Sequence, residues 1–227
     1  MCGRFALTAP ASTITEIFQI DVLPEILPRY NIAPTQDVHC VVEEGGERRV
    51  QPFKWGLIPS WAKDRKIGYK TINARSETAA GKPAFRAAFR RRRVLVLADG
   101  FYEWKRQGKQ KLPWLMQVDG GRPYGMAGLW ETWIDPDTLE EVRSCSILTC
   151  GPNELMAPIH DRMPVILPAE TWDTWLDPNV QDTALLQEMM QPFPAERMSA
   201  RRVGSWVNNA RNTGPACQAP PEGEEDP

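Results

Sequence analysis

Two adjacent glycines, set between segments of strand character, constrain this fold more than any other feature. Asp37 to Val42 reads as a strand, Glu44-Gly45-Gly46-Glu47 as a tight turn, and Arg48 to Trp55 as the returning strand. A short turn of this kind uses left-handed backbone conformations that glycine adopts without a steric penalty, so the spacing predicts a β-hairpin and an antiparallel sheet around it. The signal recurs. Lys105 to Lys111, with Gly108 inside, turns into Pro113 to Val118, and Met126 to Trp133 and Ser144 to Thr149 have strand character too. Val94-Leu95-Val96-Leu97-Ala98, followed by an Asp99-Gly100 turn, is an apolar run of the length expected for a buried strand. No βαβ rhythm appears, which argues against a doubly wound parallel sheet. The expected fold class is therefore α+β: one domain dominated by antiparallel strands, barrel-like or two-layered, with short helices outside.

The helices are brief. Thr8-Ala9-Pro10, a threonine cap with a proline in the first turn, introduces Ala11 to Gln19, where Ile14, Ile17 and Phe18 recur at helical spacing. Phe85 to Phe89, Glu170 to Leu176 and Thr183 to Met190 are also helical by pattern, and Arg201 to Val207 reads as a last strand. With 227 residues and 42% hydrophobic residues the chain can fill one sizeable core. The expected domain covers residues 1–214, and the proline- and glutamate-rich residues 215–227 are expected to be disordered. The first thirty residues lack signal-peptide order, and no apolar run reaches the roughly 18 residues that span a bilayer, so a cytoplasmic, monomeric protein with no membrane partner is expected. Five cysteines without paired spacing point to reduced thiols, and two histidines exclude a multi-histidine metal site. No metal and no cofactor are expected.

A net charge of −2 looks wrong for a nucleic-acid partner until its distribution is considered. Glu222, Glu224, Glu225 and Asp226 crowd the last six residues, and without them the balance moves from −2 to +2. Arg86 and Arg90 to Arg93 concentrate positive charge ahead of the apolar strand. Such a run is either a local nucleic-acid contact or a solvated strand entrance.

The chemistry-bearing residues lie in a few short stretches. Cys2 follows the initiator in Met1-Cys2-Gly3-Arg4-Phe5. Once Met1 is removed, an α-amine with a pKa of about 8 and a thiol of about 8.5 share one carbon skeleton. That pair captures aldehydes: the amine forms an imine and the thiolate closes on it to give a thiazolidine. Trp61, on the proline-rich loop after Trp55-Gly56-Leu57-Ile58-Pro59-Ser60, is a candidate for stacking on a base. Asn73, Arg75 and Glu77 alternate and would share one face if extended. Glu103, flanked by Tyr102 and Trp104, is a carboxylate whose apolar surroundings would raise its pKa and suit it to carry protons. His160, in Pro158-Ile159-His160-Asp161-Arg162-Met163-Pro164, is a candidate proton donor beside a phosphate-binding arginine.

Taken together these pieces resemble the SRAP family of abasic-site-processing proteins. The matching stretches are Met1 to Phe5, Arg29-Tyr30-Asn31-Ile32-Ala33-Pro34, Trp55 to Pro59, Ile72-Asn73-Ala74-Arg75-Ser76-Glu77, Ala98-Asp99-Gly100-Phe101-Tyr102-Glu103-Trp104 and Ile159 to Pro164. The resemblance runs to about Pro215, while Lys63 to Gly68 and the acidic tail have no counterpart in the family pattern. It implies a covalent link between Cys2 and the ring-opened sugar of an abasic site in single-stranded DNA, with Asn73, Glu103 and His160 as catalytic neighbours. It also implies Arg4, Asn31, Pro34, Trp61, Arg75 and Arg162 as DNA-binding residues, and secondary lyase and self-processing activities. Two other readings use the same residues: an N-terminal-nucleophile hydrolase, which would turn over and release an acid, and a non-catalytic single-strand binder, in which Cys2 is idle.

Overall fold

The computed structural model describes residues 2–20 and 25–223. In chain order, β1 (Phe5–Leu7), α1 (Ala11–Phe18) and β2 (Arg29–Ile32) precede the first hairpin, β3 (Asp37–Glu44) and β4 (Glu47–Trp55). Next come β5 (Asn73–Arg75), α2 (Ser76–Ala79), α3 (Arg86–Arg91) and β6 (Arg93–Ala98). The hairpin strands β7 (Gly100–Gln107) and β8 (Gln110–Val118) are followed by β9 (Tyr124–Ile134) and β10 (Glu141–Cys150). β11 (Met163–Pro164), β12 (Ile166–Leu167), α4 (Trp172–Leu176), α5 (Thr183–Glu188) and β13 (Met198–Arg202) complete the set.

Five of these strands close on themselves. β10 pairs with β4, β4 with β3, β3 with β6, β6 with β9, and β9 with β10 again, so the ring has no open edge. All its pairings are antiparallel except that between β10 and β4, where Ser144 lies opposite Lys54 and Cys145 opposite Trp55. The glycine turn that predicted the first hairpin has Gly45 at φ +66° and Gly46 at φ +81°, the left-handed backbone such a turn requires. β6 is buried along its whole length, as its apolar run demands. The second sheet is open, in the order β13-β8-β7-β1-β2.

Asp99 joins the two sheets. Its Oδ2 accepts from Thr8 N, from Thr8 Oγ1 at 2.8 Å and from Ala9 N at 2.8 Å, while its own N–H donates to Ala6 O at 2.9 Å. Thr8 therefore does not cap α1, which begins after Pro10 without a side-chain cap. Loop 56–71 folds back on itself because Gly56 and Gly68 touch: a Cβ on Gly56 would lie 2.6 Å from Gly68 O. Ile58, Ala62 and Trp133 form a small cluster beneath it.

Three further expectations need correction. The last strand is Met198–Arg202, and Ser205–Asn208 is a 3-10 turn, because Val207 and Val203 pack with Tyr102 and Leu115 rather than continuing a ladder. Glu77 does not share an extended face with Asn73 and Arg75, since the chain becomes helical at Ser76. Finally, Pro215–Gln218 is a 3-10 turn that buries Cys217, and Ala219 O accepts from Gly204 N at 2.8 Å. Disorder therefore does not begin at 215: the cysteine provides apolar surface that the proline and glutamate content obscures. Residues 224–227, which hold three of the four tail acids, lie outside the described residues.

Candidate functional site

The pairing of β1 with β7 builds the site. Phe5 lies opposite Phe101, and Tyr102 N donates to Arg4 O at 2.9 Å, so continuing the antiparallel register brings Cys2 alongside Glu103 and Trp104. Cys2 is fully buried. Burial, reinforced by the Glu103 carboxylate, pushes its thiol well above the ordinary cysteine range, so it is held neutral. Glu103 is only 3% exposed, and burial raises its carboxyl to about 7.

His160 approaches from the other side. It follows a turn in which Ile159 N and His160 N donate to Met156 O, and its Nε2 lies 3.8 Å from Glu103 Oε2. Its Nδ1 accepts from Arg162 N at 3.0 Å and also faces Asp161 Oδ1 at 3.0 Å. These neighbours make opposite demands, one for a lone pair and one for a proton. Burial lowers the imidazole pKa and the Asp161 carboxylate is exposed to water, so the neutral form, with its lone pair toward Arg162 and its proton on Nε2, is favoured.

Asn73 stands on β5, parallel to β10, where it faces Ile147 and donates weakly to Ile147 O at 3.4 Å. Its Oδ1 is buried and has no donor among the described residues, which leaves an acceptor for a bound group. In the same register Arg75 faces Thr149, and Arg162 donates to Thr149 O, to Thr149 Oγ1 and to both oxygens of Glu77 at 2.5 and 3.0 Å. Of these two arginines only Arg75 is exposed with no ion pair among the described residues; the Arg162 fork is occupied by Glu77, whose carboxyl pKa it lowers.

Arg4, Glu103, Trp104, Lys105, Arg106, Lys111, His160, Asp161 and Asn208 line an open groove of about 910 Å³. Arg4 donates through Nη1 to Asn31 Oδ1 and Val207 O, each at 2.7 Å, and its guanidinium lies over the Trp104 ring at 5.6 Å. Asn31 is buried and its amide is fully committed, also donating to Asn209 O at 3.0 Å and Asn212 O at 2.9 Å. Its amide hydrogens are thus donated within the protein, and its Oδ1 accepts from the Arg4 guanidinium. Pro34 is half-buried in the turn after β2, and its neighbour Thr35 belongs to a different groove of about 730 Å³. Trp61 is 59% exposed and does not line the Cys2 groove.

Sequence reasoning missed the groove's cationic wall and two polar neighbours. Arg106 and Lys111 face each other across the β7–β8 hairpin, an unfavourable like-charge pair that the Gly108 turn made readable. Thr149 carried no local signal. Tyr124 is also buried, its hydroxyl without a partner among the described residues, and burial, the largest cause, raises its pKa. No group of three or more metal-ligating side chains forms among the described residues, and no helix is long and apolar enough to cross a membrane.

A closed barrel that carries a buried second-position cysteine against a raised-pKa glutamate defines a class, and comparison with known families identifies it: the chain belongs to the SRAP family, "SOS response associated peptidase", which matches residues 1–210. Among its relatives, the abasic site processing protein YoqW of Bacillus subtilis is 45% identical over 95% of this chain and 97% of its own. Those named HMCES in Xenopus tropicalis and YedK in Escherichia coli are 33% and 29% identical, over 85% and 94% of this chain and 66% and 97% of theirs. A crystal structure of a Bacteroides thetaiotaomicron protein superposes with a TM-score of 0.84 at 29% identity, covering 96% of this chain and 99% of that one.

Proposed function

We propose that this protein processes abasic sites in single-stranded DNA by capturing them covalently on Cys2. The observation that carries the reading is the β1–β7 register, which sets a second-position cysteine beside a glutamate of pKa about 7 at the edge of a cationic groove. The names of the relatives supply the lesion class.

Removal of Met1 comes first, because an amide nitrogen does not condense with aldehydes. Glu103 and Cys2 are also suitable for that hydrolysis, which would agree with the peptidase in the family's description. The freed amine then adds to the ring-opened sugar aldehyde, with His160 Nε2–H assisting ring opening and Asn73 Oδ1 accepting from the amine or a sugar hydroxyl. The carbinolamine loses water to give an imine, protonated through Glu103. The buried thiol is neutral at this stage, so the amine reacts before it. The positive charge of the iminium favours thiolate formation, Glu103 takes the proton, and sulfur closes on the imine carbon. Aldehyde and aminothiol give thiazolidine and one water. Imine formation is also the entry to lyase chemistry, which makes strand cleavage a side reaction of the same site.

Arg75 and Arg4 would bind flanking phosphates, with Arg162 available once a phosphate displaces Glu77. The test is intact-mass measurement and a denaturing gel after mixing Met1-free protein with a single-stranded oligonucleotide containing one abasic site. A heat-stable adduct, at the combined mass less one water, is expected. Unmodified protein, or an adduct of equal stability from Cys2→Ser, rules the reading out.

A further inference from the structure

The arginine run ahead of β6 contributes nothing to the Cys2 groove, yet it is built as an ordered surface. Between Thr78 and Ala98 the chain has six basic residues and no acidic one. α3 sorts them: Phe85, Ala88 and Phe89 face inward, while Arg86, Ala87, Arg90 and Arg91 are exposed. Lys82 extends the row by one turn, since Lys82 O accepts from Arg86 N at 2.8 Å. Lys82, Arg86 and Arg90 thus stand four residues apart on one face, about 6 Å from neighbour to neighbour, close to the spacing of phosphates along a strand. None of Lys82, Arg86, Arg90 and Arg91 forms an ion pair or side-chain hydrogen bond among the described residues. Like charges at this spacing destabilise a helix, so folding gives no reason to line them up.

The loop carrying the exposed Trp61 is tied through Glu131 to the end of α3. Arg92, which ends α3, pairs with Glu131 Oε1, and Glu131 Oε2 accepts from Ser60 N at 3.4 Å. That link anchors the base of Trp61 next to the end of α3. Cations at phosphate spacing with a tryptophan at one end are the two components of a single-strand track. β6 separates this face from the Cys2 region: Arg93 begins it beside α3 and Ala98 ends it beside Asp99, and a six-residue strand is about 20 Å long.

We infer that Lys82, Arg86, Arg90 and Arg91, with Trp61, form a second nucleic-acid surface that holds undamaged single-stranded DNA several nucleotides away from the lesion. The inference rests on the proposed function only for the kind of polymer, and undamaged DNA tests it without any chemistry at Cys2. The variant R86A/R90A/R91A raises helix propensity and removes repulsion, so its Tm should equal or exceed that of the parent. For an oligo-dT of about 30 nucleotides, the slope of log affinity against log salt should become shallower by about 2, the value for three lost phosphate contacts. An oligo-dT of about 8 nucleotides, which can occupy either face but not both, should bind the parent more weakly than the longer strand does. Trp61→Ala should weaken binding of the longer strand about tenfold without changing its slope. An unchanged slope on the longer strand overturns the inference. Competition by polyglutamate as effective as by oligo-dT of the same charge would assign the face to an acidic polypeptide and overturn it as well. A lost adduct with an intact salt slope would instead fault the Cys2 reading.

Discussion

Arg93 and Glu103 stand ten residues apart and are both almost completely withdrawn from water, at 2% and 3% exposure, but the protein treats them in opposite ways. Arg93 donates from Nε to Trp175 O, from Nη1 to Phe89 O and Arg90 O, and from Nη2 to Asp177 O and Val180 O. Its five N–H groups meet five carbonyls, satisfying the last turns of α3 and α4. Burial lowers its pKa to about 10, so it still carries its charge at neutral pH. Glu103 is raised to about 7 and faces an imidazole whose own pKa is lowered, so near neutrality the cluster can hold or release a proton at little cost. One buried charge joins helices; the other is poised to exchange a proton.

Substitutions at the two ends should therefore fail differently. Cys2→Ala should abolish the adduct entirely while leaving Tm within a few degrees, since it removes one small buried group. A variant that still cross-links would show that another nucleophile does the work. Arg93→Met should do the reverse. With five carbonyls left without a donor, it should lose about 3–5 kcal/mol of stability, read as a large drop in urea midpoint, while folded protein below that midpoint still forms the adduct. Normal stability with lost activity would break the contrast.

Glu103→Gln tests the other end through pH. A carboxyl with a folded pKa of about 7 and an unfolded value near 4.5 stabilises the fold fully below about pH 4.5, and that contribution fades as pH rises through 7. The glutamine variant cannot lose it, so its Tm relative to the parent should climb between pH 5 and 8. Its cross-linking rate should fall on the order of 10²-fold at neutral pH. Parallel Tm profiles across that range would mean the carboxyl titrates normally and has no special poise.

The sequence carried the local half of this picture. Glycine turns announced the hairpins, the apolar run announced β6, and the aromatic neighbours of Glu103 announced a carboxyl in apolar surroundings, because each is decided within a few residues. What it could not carry was register between distant strands. The closing β10–β4 pair is parallel and joins segments some ninety residues apart, so no turn signals it. The same is true of Thr149, which meets Arg75 only because β5 lies parallel to β10 and Arg162 only because β11 pairs antiparallel with β10. Cys217 was misjudged because proline content described its surroundings and said nothing of its partners.

Asn31 is the smallest test and the most discriminating, since it touches both regimes. Its Oδ1 accepts from Arg4 in the groove, while its Nδ2 donates to Asn209 O and Asn212 O of the last segment, so it is satisfied like Arg93 yet, like Glu103, bears on the groove. Asn31→Ala should cost about 1–2 kcal/mol of stability and weaken strand binding several-fold, with the final adduct yield at saturating DNA unchanged. Arg4 keeps Val207 O and the Trp104 ring, which limits the loss. Asn31→Asp separates the two functions: it keeps an acceptor for Arg4 but sets a carboxylate against two carbonyls. If positioning Arg4 is what matters, the aspartate variant binds DNA better than the alanine variant although it is the less stable protein. If both variants lose affinity in proportion to stability, Asn31 is a structural clasp alone, and Arg4 does not depend on it for its place in the groove.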